Sequence, residues 1–334
     1  MRKRATFALI RPGAWAVVLT LIGTAMHAQG TAETDDFPSR PIKIVVPYAA
    51  GGPSDTGARL VQSGLTKALG QPVYIDNRGG GGGLNGTETF LSGDLDGYTM
   101  LNAGIAPMTI IPWIKKVSYV ADHDFLAIGT VWRSAQTLVV RKSLGVKTLA
   151  EFVAYAKANP GKVAIGSAGV GTVSHLGSLL LQREAGIKLV HVPFRSTSES
   201  LPLLMSGQLD GLFGDATTVA PQVKAGTIVA LGVAAPERTP ALPDTPTIAE
   251  AGYAEVQAEG WHGLVVSSKT PPSHVSRLRE ALRAAQSDPA YQERLKAMDA
   301  TVGALGADAL QKLIETDSAK WGAIIKAANI TTAE

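Results

Sequence analysis

The chain has 334 residues, 45% of them apolar, with charges mixed along it, so it can bury a sizeable core and is expected to form two domains, not a fibre or a disordered segment. It contains no cysteine, which excludes disulfides, cysteine-ligated zinc and a lipidated N-terminal cysteine. The formal charge of +3 falls to −1 once the basic residues of the leader described next are removed, which leaves no electrostatic footprint for nucleic acid.

Arg2, Lys3, Arg4 and Arg11 precede an apolar stretch from Ala14 to Ala25, and small residues follow at Ala28, Gly30 and Ala32. This pattern reads as a secretory signal over residues 1–32, with cleavage near 28–32. A cut after Ala28 puts Met26 three positions back; a cut after Ala32 puts Gly30 there and fits the small-residue rule better. The apolar run is shorter than the ~20 residues a spanning helix needs, so a soluble periplasmic protein is expected.

From Pro41 onward, short β-branched runs alternate with helical patterns. Ile42 to Val46 is a near-continuous apolar run, as in a strand buried on both faces, and Pro47 ends it. The turn Gly51-Gly52-Pro53-Ser54-Asp55 leads to a helix carrying Val61, Leu65 and Leu69, with Gly70 as its stop. Val73 to Ile75 is the next strand, then the glycine loop Gly79 to Gly83, a helix with Asn85 and Glu88 as a capping box, and the strand Tyr98 to Asn102. A second set begins near Leu138. It comprises the strand Leu138 to Val140, a helix from Leu149 to Lys157, and the strand Val163 to Gly166. A helix from near Ser174, the strand Leu189 to Val192, another helix, and the strands Leu209 to Phe213 and Val229 to Ala234 follow. After the strand Leu264 to Val266 come three amphipathic helices. The fold class is α/β with mostly parallel sheets, in which ligands sit beyond the carboxyl ends of the strands.

Several stretches together resemble one family, the substrate-binding receptors of tripartite tricarboxylate transporters, or Bug receptors. They are Phe37-Pro-Ser-Arg-Pro-Ile-Lys-Ile-Val-Val-Pro-Tyr48, Gly51-Gly-Pro-Ser-Asp55 with Ala58-Arg59, and Leu69-Gly-Gln71 running to Asp76-Asn-Arg78. Further on are Asp96-Gly-Tyr-Thr99, Gly166-Ser167 with Gly171-Thr172 and His175, His191-Val-Pro-Phe194, and Gly207-Gln-Leu-Asp210. Leu242-Pro-Asp-Thr-Pro-Thr247 with Ala249-Glu-Ala-Gly252 and Lys320-Trp321 complete the set, which spans residues 37–330. The resemblance implies a two-lobed periplasmic-binding-protein fold, type II-like, that closes as a Venus flytrap. Each lobe would be a mostly parallel sheet flanked by helices, with residues 37–138 plus 263–334 in lobe 1 and 139–262 in lobe 2. It also implies a monomer that binds a small organic acid, amide or aromatic acid. The receptor would pass this ligand to permease subunits in the membrane or, in a signalling variant, report it to a sensor kinase. No cofactor or metal is implied.

A helix N-terminus leaves backbone N–H groups unpaired and carries about half a positive charge, so it attracts carboxylates. The resemblance places ligand contacts at two such turns. Tyr48, Ala50, Gly52, Ser54 and Asp55 belong to the first, with Gly104 beside it; Ser167, Gly171, Thr172 and His175 belong to the second, with Phe194 and Asp215 nearby. Asp55 and Asp215 are expected to orient waters or a ligand ammonium or hydroxyl group. The chain departs from the family pattern at Arg195-Ser196, where Lys-Gly is usual, and at Glu199 and Pro202, which bear on where the local helix starts. Arg195, if it faced the cleft, could pair with a distal carboxylate.

Other functions fit less well. Gly81, Gly83 and Gly86 make a formal G-x-G-x-x-G, but the acidic residues Asp94 and Asp96 precede the next strand instead of ending it, so the run reads as a structural turn. Ser167, Asp215 and His262 follow the chain order of an α/β-hydrolase triad, yet Ile165 stands where the nucleophile elbow needs glycine. His123, His175, His191, His262 and His274 show no paired metal-ligand spacing.

Overall fold

β1 (Ile42–Val46) is the strand that its apolar run predicts, buried along nearly its whole length. A computed structural model describes residues 36–51, 53–194, 196–297 and 305–331; the expected leader, Gly52 and Arg195 lie outside them. α1 (Pro53–Leu69) follows, with Asp55 in its first turn and Lys67 in its last, the signs that suit the helix dipole. β2 (Val73–Asn77) and β3 (Thr99–Gly104) both run parallel to β1. Between them Gly80, Gly81, Gly82 and Gly83 all have positive φ and turn the chain into α2 (Leu84–Leu91). The run is thus a turn. It also overturns the expected capping box, because Gly83 takes the N-cap and Asn85 already lies inside the first helical turn. Glu88 instead accepts a hydrogen bond from Ser118 Oγ at 2.8 Å.

A wide helical turn, Ala106–Ile110, runs into α3 (Ile111–Ile114) and on to β4 (Phe125–Arg141). From sequence a strand is expected only from Leu138 to Val140, which is the end of β4. Gly129 at φ +154 and two register shifts, between Ala127 and Gly129 and between Thr130 and Trp132, break the two-residue alternation that marks a strand. α4 (Leu149–Ala158) starts with a complete capping box of Thr148 and Glu151. Then come β5 (Val163–Ser167), α5 (Val173–Ala185), β6 (Leu189–Pro193), α6 (Thr197–Met205), β7 (Gly211–Asp215), α7 (Ala216–Lys224) and β8 (Ile228–Val233). β9 (Glu259–Ser267) is longer than the expected Leu264–Val266. The three expected C-terminal helices are α8 (Pro272–Gln286), α9 (Pro289–Ala297) and α10 (Ala307–Ala327).

The strands run in the order β2-β1-β3-β9-β4-β7-β5-β6, with β8 also paired to β4. Pairing is parallel within β1–β3 and within β5–β7, as the sequence predicts, and antiparallel wherever β4 or β9 takes part. β4 pairs with β9 from Phe125 to Ala135, then with β7 from Gln136 to Val140 and with β8 from Thr137 to Arg141. Two parallel groups are therefore joined through two long antiparallel strands, which gives the two-lobed α/β architecture. Ile44, Val61, Leu65, Leu278 and Leu282 pack α1 and α8 over the first group; Leu204, Leu212 and Val219 pack α6 and α7 over the second. Leu101, Phe125, Phe213, Trp261 and Trp321 belong to a third cluster that runs between them. No described helix is long and apolar enough to cross a membrane.

α1 and α8 meet at Gly64, where a Cβ would lie 2.6 Å from Ala285 Cβ and 2.8 Å from its Cα. Because that neighbour is backbone and cannot swing aside, Gly64→Val should destabilise the fold by about 1–3 kcal/mol, as overpacking does. Urea unfolding should show a lowered midpoint with an unchanged slope; an unchanged midpoint would mean that the two helices have room to spare.

Candidate functional site

The residues that follow β1, β3, β5 and β6, the end of β7 and the middle of β4 and β9 line one cavity of about 680 Å3. This is where open α/β sheets place their ligands. Strand alternation sets the sheet side: Trp132, Ser134 and Gln136 on β4 and Gly260 and His262 on β9 line the cavity, every second residue of each strand.

The first rim is the turn between β1 and α1, represented by Tyr48, Ala49, Ala50, Gly51 and Ser54. Its shape is fixed by hydrogen bonds beneath it. Asn102 Nδ2 donates to the Ser54 carbonyl at 2.7 Å and to Ser54 Oγ at 3.0 Å. Asn77 Nδ2 donates to the Tyr48 carbonyl and to Asp55 Oδ1, each at 3.1 Å. Asp55 Oδ2 accepts from Gly51 N–H and from Arg59 Nε, each at 2.9 Å. The Arg59 guanidinium holds the Asp55 carboxyl below the usual carboxylate range. Asp55 is 2% exposed and does not line the cavity; its oxygens are engaged in shaping the turn. Gly104 is likewise set back, with His262 and Tyr48 against it.

The second rim is made of three helix starts. Thr172, Val173 and Ser174 open α5, Ser196, Thr197 and Ser198 open α6, and Asp215 and Thr218 open α7. Thr172 Oγ1 caps α5 by accepting from His175 N–H, and Ser196 Oγ caps α6 by accepting from Glu199 N–H at 3.2 Å. Glu199 and Pro202 thus leave the α6 start intact. Asp215 caps α7. Its Oδ1 accepts from Thr217 Oγ1 at 2.6 Å, Thr217 N–H at 3.1 Å and Ser134 Oγ at 2.8 Å. Burial still pushes this carboxyl upward, against the pull of those bonds.

Of the site residues expected from sequence, Tyr48, Ala50, Ser54, Thr172 and Asp215 line the cavity. Ser167, Gly171, His175 and Phe194 lie behind it. Ser167 is fully buried, with Oγ 2.6 Å from His191 Nε2. Gly171 N–H donates to His175 Nδ1 at 3.2 Å, and the His175 ring stacks on His191 at 3.8 Å. Burial lowers the His175 pKa to about 4, with a smaller push from His191. Phe194 packs with Leu201 and Leu212 in the core of the second strand group. No hydrogen bond among the described residues joins Ser167, Asp215 and His262 into a triad. Those residues also hold no cluster of three potential metal ligands. Trp132, Ser134 and Gln136 are not among the residues expected from sequence, since Trp132-Arg-Ser-Ala-Gln136 does not alternate apolar with polar residues and no periodicity marks them.

A model of the family described as tripartite tricarboxylate transporter family receptor matches residues 57–330. A UPF0065 protein of Agrobacterium vitis is 38% identical over 283 residues, 85% of this chain and 81% of that protein. The solved structure of MatC from Rhodopseudomonas palustris with bound malate is 31% identical, covers 86% of this chain and 100% of its own, and superposes with a TM-score of 0.73. A second R. palustris structure, with adipate, is 27% identical over 88% of this chain and 99% of its own, with a TM-score of 0.76.

Burial also lowers the pKa of His262 to about 4. Between pH 6.5 and about 4 the unfolded chain therefore takes up protons at His175 and His262 that the folded chain refuses. Stability should be complete above that window and fall as pH drops through it, by up to ~1.4 kcal/mol per pH unit for each histidine. Asp215 and Glu259, whose carboxyls are raised, act in the opposite sense, so the comparison needs variants. Urea unfolding at about pH 7 and pH 5 should show a smaller loss in His175→Gln than in the parent; an identical loss would exclude His175 as a source.

Proposed function

Since the chain belongs to the tripartite tricarboxylate transporter receptor family, we propose that it is a periplasmic receptor that captures a small carboxylate in this cavity and delivers it to the membrane subunits of such a transporter. The observation that carries this reading is the meeting of helix N-termini at one cavity. α1, α5 and α6 each bring unpaired N–H groups and the positive end of a dipole. α7 already has a carboxylate of its own, because Asp215 caps it. α1 and α6 also carry an acid in the first turn, Asp55 and Glu199, but neither lines the cavity and Asp55 is paired with Arg59, so the N-termini of α1, α5 and α6 remain for a guest anion. Hydroxyls of Ser54, Thr172, Ser196, Thr197 and Ser198 surround the same space and can turn to a guest, Thr172 Oγ1 by giving up its 2.7 Å bond to the Gly169 carbonyl. The malate and adipate in the similar structures support the carboxylate class.

In this reading Tyr48, Ala50, Ser54, Thr172 and Asp215 contact the guest, joined by Ser196, Thr197 and Ser134. Asp55, Gly104, Ser167, Gly171, His175 and Phe194 hold the contacting turns in place. Residues 37–138 with 263–334 form one lobe and 139–262 the other. β4 and β9 are the strands that pass between them, and a guest bridging both rims favours the closed form by population shift. Residues 1–32 export the chain to the periplasm.

Ser54→Ala with Thr172→Ala removes one hydroxyl from each rim. Hydrogen bonds to a charged group contribute about 1.5–3 kcal/mol each, so the double variant should bind at least about tenfold more weakly. Mass spectrometry of ligand released on denaturation, and a thermal-shift panel of mono-, di- and tricarboxylates, supply the ligand for calorimetry. Unchanged affinity in a folded double variant would refute the site; a panel in which uncharged amides stabilise as well as acids would refute the carboxylate.

A further inference from the structure

One wall of the cavity is built from rings. Trp132 on β4 and His262 on β9 are direct cross-strand partners and stack, their centroids 5.4 Å apart and their planes 15° from parallel. Tyr48 stands edge-on to His262, at 6.4 Å and 86°, and its hydroxyl is tied to the Gly82 carbonyl at 3.0 Å, so it is fixed from its far end. All three line the cavity.

The indole is held in an informative orientation. Trp132 is 5% exposed, and its Nε1 has no hydrogen-bond partner among the described residues. That edge lies against Gly57 of α1, where an added Cβ would meet Nε1 at 2.4 Å and Cδ1 at 2.5 Å. With its polar edge turned to the helix, the indole offers the cavity ring carbon. Its contact with a guest is therefore apolar and π-type, not a hydrogen bond. The facing rim is the opposite in chemistry, lined by the hydroxyls of Thr172, Ser196 and Thr197. The cavity thus has a face for an anion and a face for a flat apolar body. An aliphatic diacid such as malate would leave the second face unmatched.

We propose that the guest is an aromatic carboxylate, with its carboxylate at the helix N-termini and its ring packed on Trp132 and His262. This rests on the carboxylate reading above and adds the chemistry of the rest of the guest. Ring-on-ring packing contributes beyond the area it buries, so a flat ring should bind better than a saturated ring of the same size.

Calorimetry of the unmodified protein with benzoate, cyclohexanecarboxylate, adipate and benzamide tests both levels. Benzoate should bind about two- to tenfold more tightly than cyclohexanecarboxylate, and more tightly than adipate. Trp132→Leu should erase the benzoate advantage, and Trp132→Phe should keep most of it. Cyclohexanecarboxylate or adipate matching benzoate would overturn the aromatic assignment and leave the carboxylate reading standing. Benzamide matching benzoate would overturn the carboxylate half instead, and no binding by any of the four would overturn both. The ranking in the unmodified protein decides the matter even if Trp132→Leu fails to fold.

Discussion

β4 changes partners between Ala135 and Gln136, and the positions of both rims of the cavity follow from that change. Up to Ala135 the strand hydrogen-bonds to β9 and so belongs with β1 and β3; beyond it the strand serves β7 and β8. Each parallel group needs helices on its faces, and the loops leading into those helices emerge at the carboxyl ends of the strands. Two groups joined through β4 and β9 therefore present their loops to a common space. That space is bounded by the stretch of β4 and β9 in which the exchange occurs, which is why Trp132, Ser134, Gln136, Gly260 and His262 line it.

The cavity attracts an anion through backbone more than through side chains. Among its described lining residues none is lysine or arginine, and the ionisable ones are Tyr48, Asp215 and His262. Burial keeps His262 neutral and disfavours charge on both Tyr48 and Asp215. Asp215 is offset locally by three hydrogen bonds and by the α7 N-terminus that it caps. The remaining helix N-termini carry only partial charges, but these are fixed in direction and need no reorganisation when a guest arrives. Such a site discriminates by shape and hydrogen-bond geometry, since a dipole's pull is indifferent to what lies beyond the carboxylate. The aromatic wall then supplies the discrimination that the dipoles lack.

Much of this arrangement was legible in the chain. The parallel strands and the turns after them show as apolar runs ended by glycine, proline and hydroxyl residues, and the family resemblance pointed to Tyr48, Ser54 and Thr172 within those turns. β4 was not legible before Leu138, because Gly129 and two register shifts interrupt its alternation, and with it went Trp132 and Ser134. Asp55 and His175 illustrate a different difficulty. Both stand in the right loops, but whether a polar side chain faces a ligand or braces the loop depends on partners distant in sequence. Asn77 lies 22 residues from Asp55, and the ring that stacks on His175 belongs to His191, on β6. Periodicity and motif do not carry that information. The Asn85 capping box failed for a local reason, since four positive-φ glycines delivered the chain into α2 before Asn85 could act as a cap.

The opposite face of the same two strands explains how their register is held. Arg133 and Glu259 alternate with the cavity-lining positions and form an ion pair with each side chain 18% exposed. Beside them Trp261 Nε1 donates to Asp317 Oδ2 at 2.9 Å, and Lys320 Nζ lies 2.7 Å from Asp317 Oδ1. Such a pair contributes little net stability against a well-packed apolar alternative, because two charges lose their water. Its effect is on alignment. A slip of β4 by one residue against β9 would turn Trp132 away from the cavity and bring Arg133 into it, while His262 and Glu259 keep their faces. The slip would also separate Arg133 from Glu259 and leave both charges poorly solvated, so the network penalises the misaligned sheet far more than it stabilises the aligned one. The ring wall and its alignment are thus set by alternate residues of the same two strands, one set facing the guest and the other fixing where it faces.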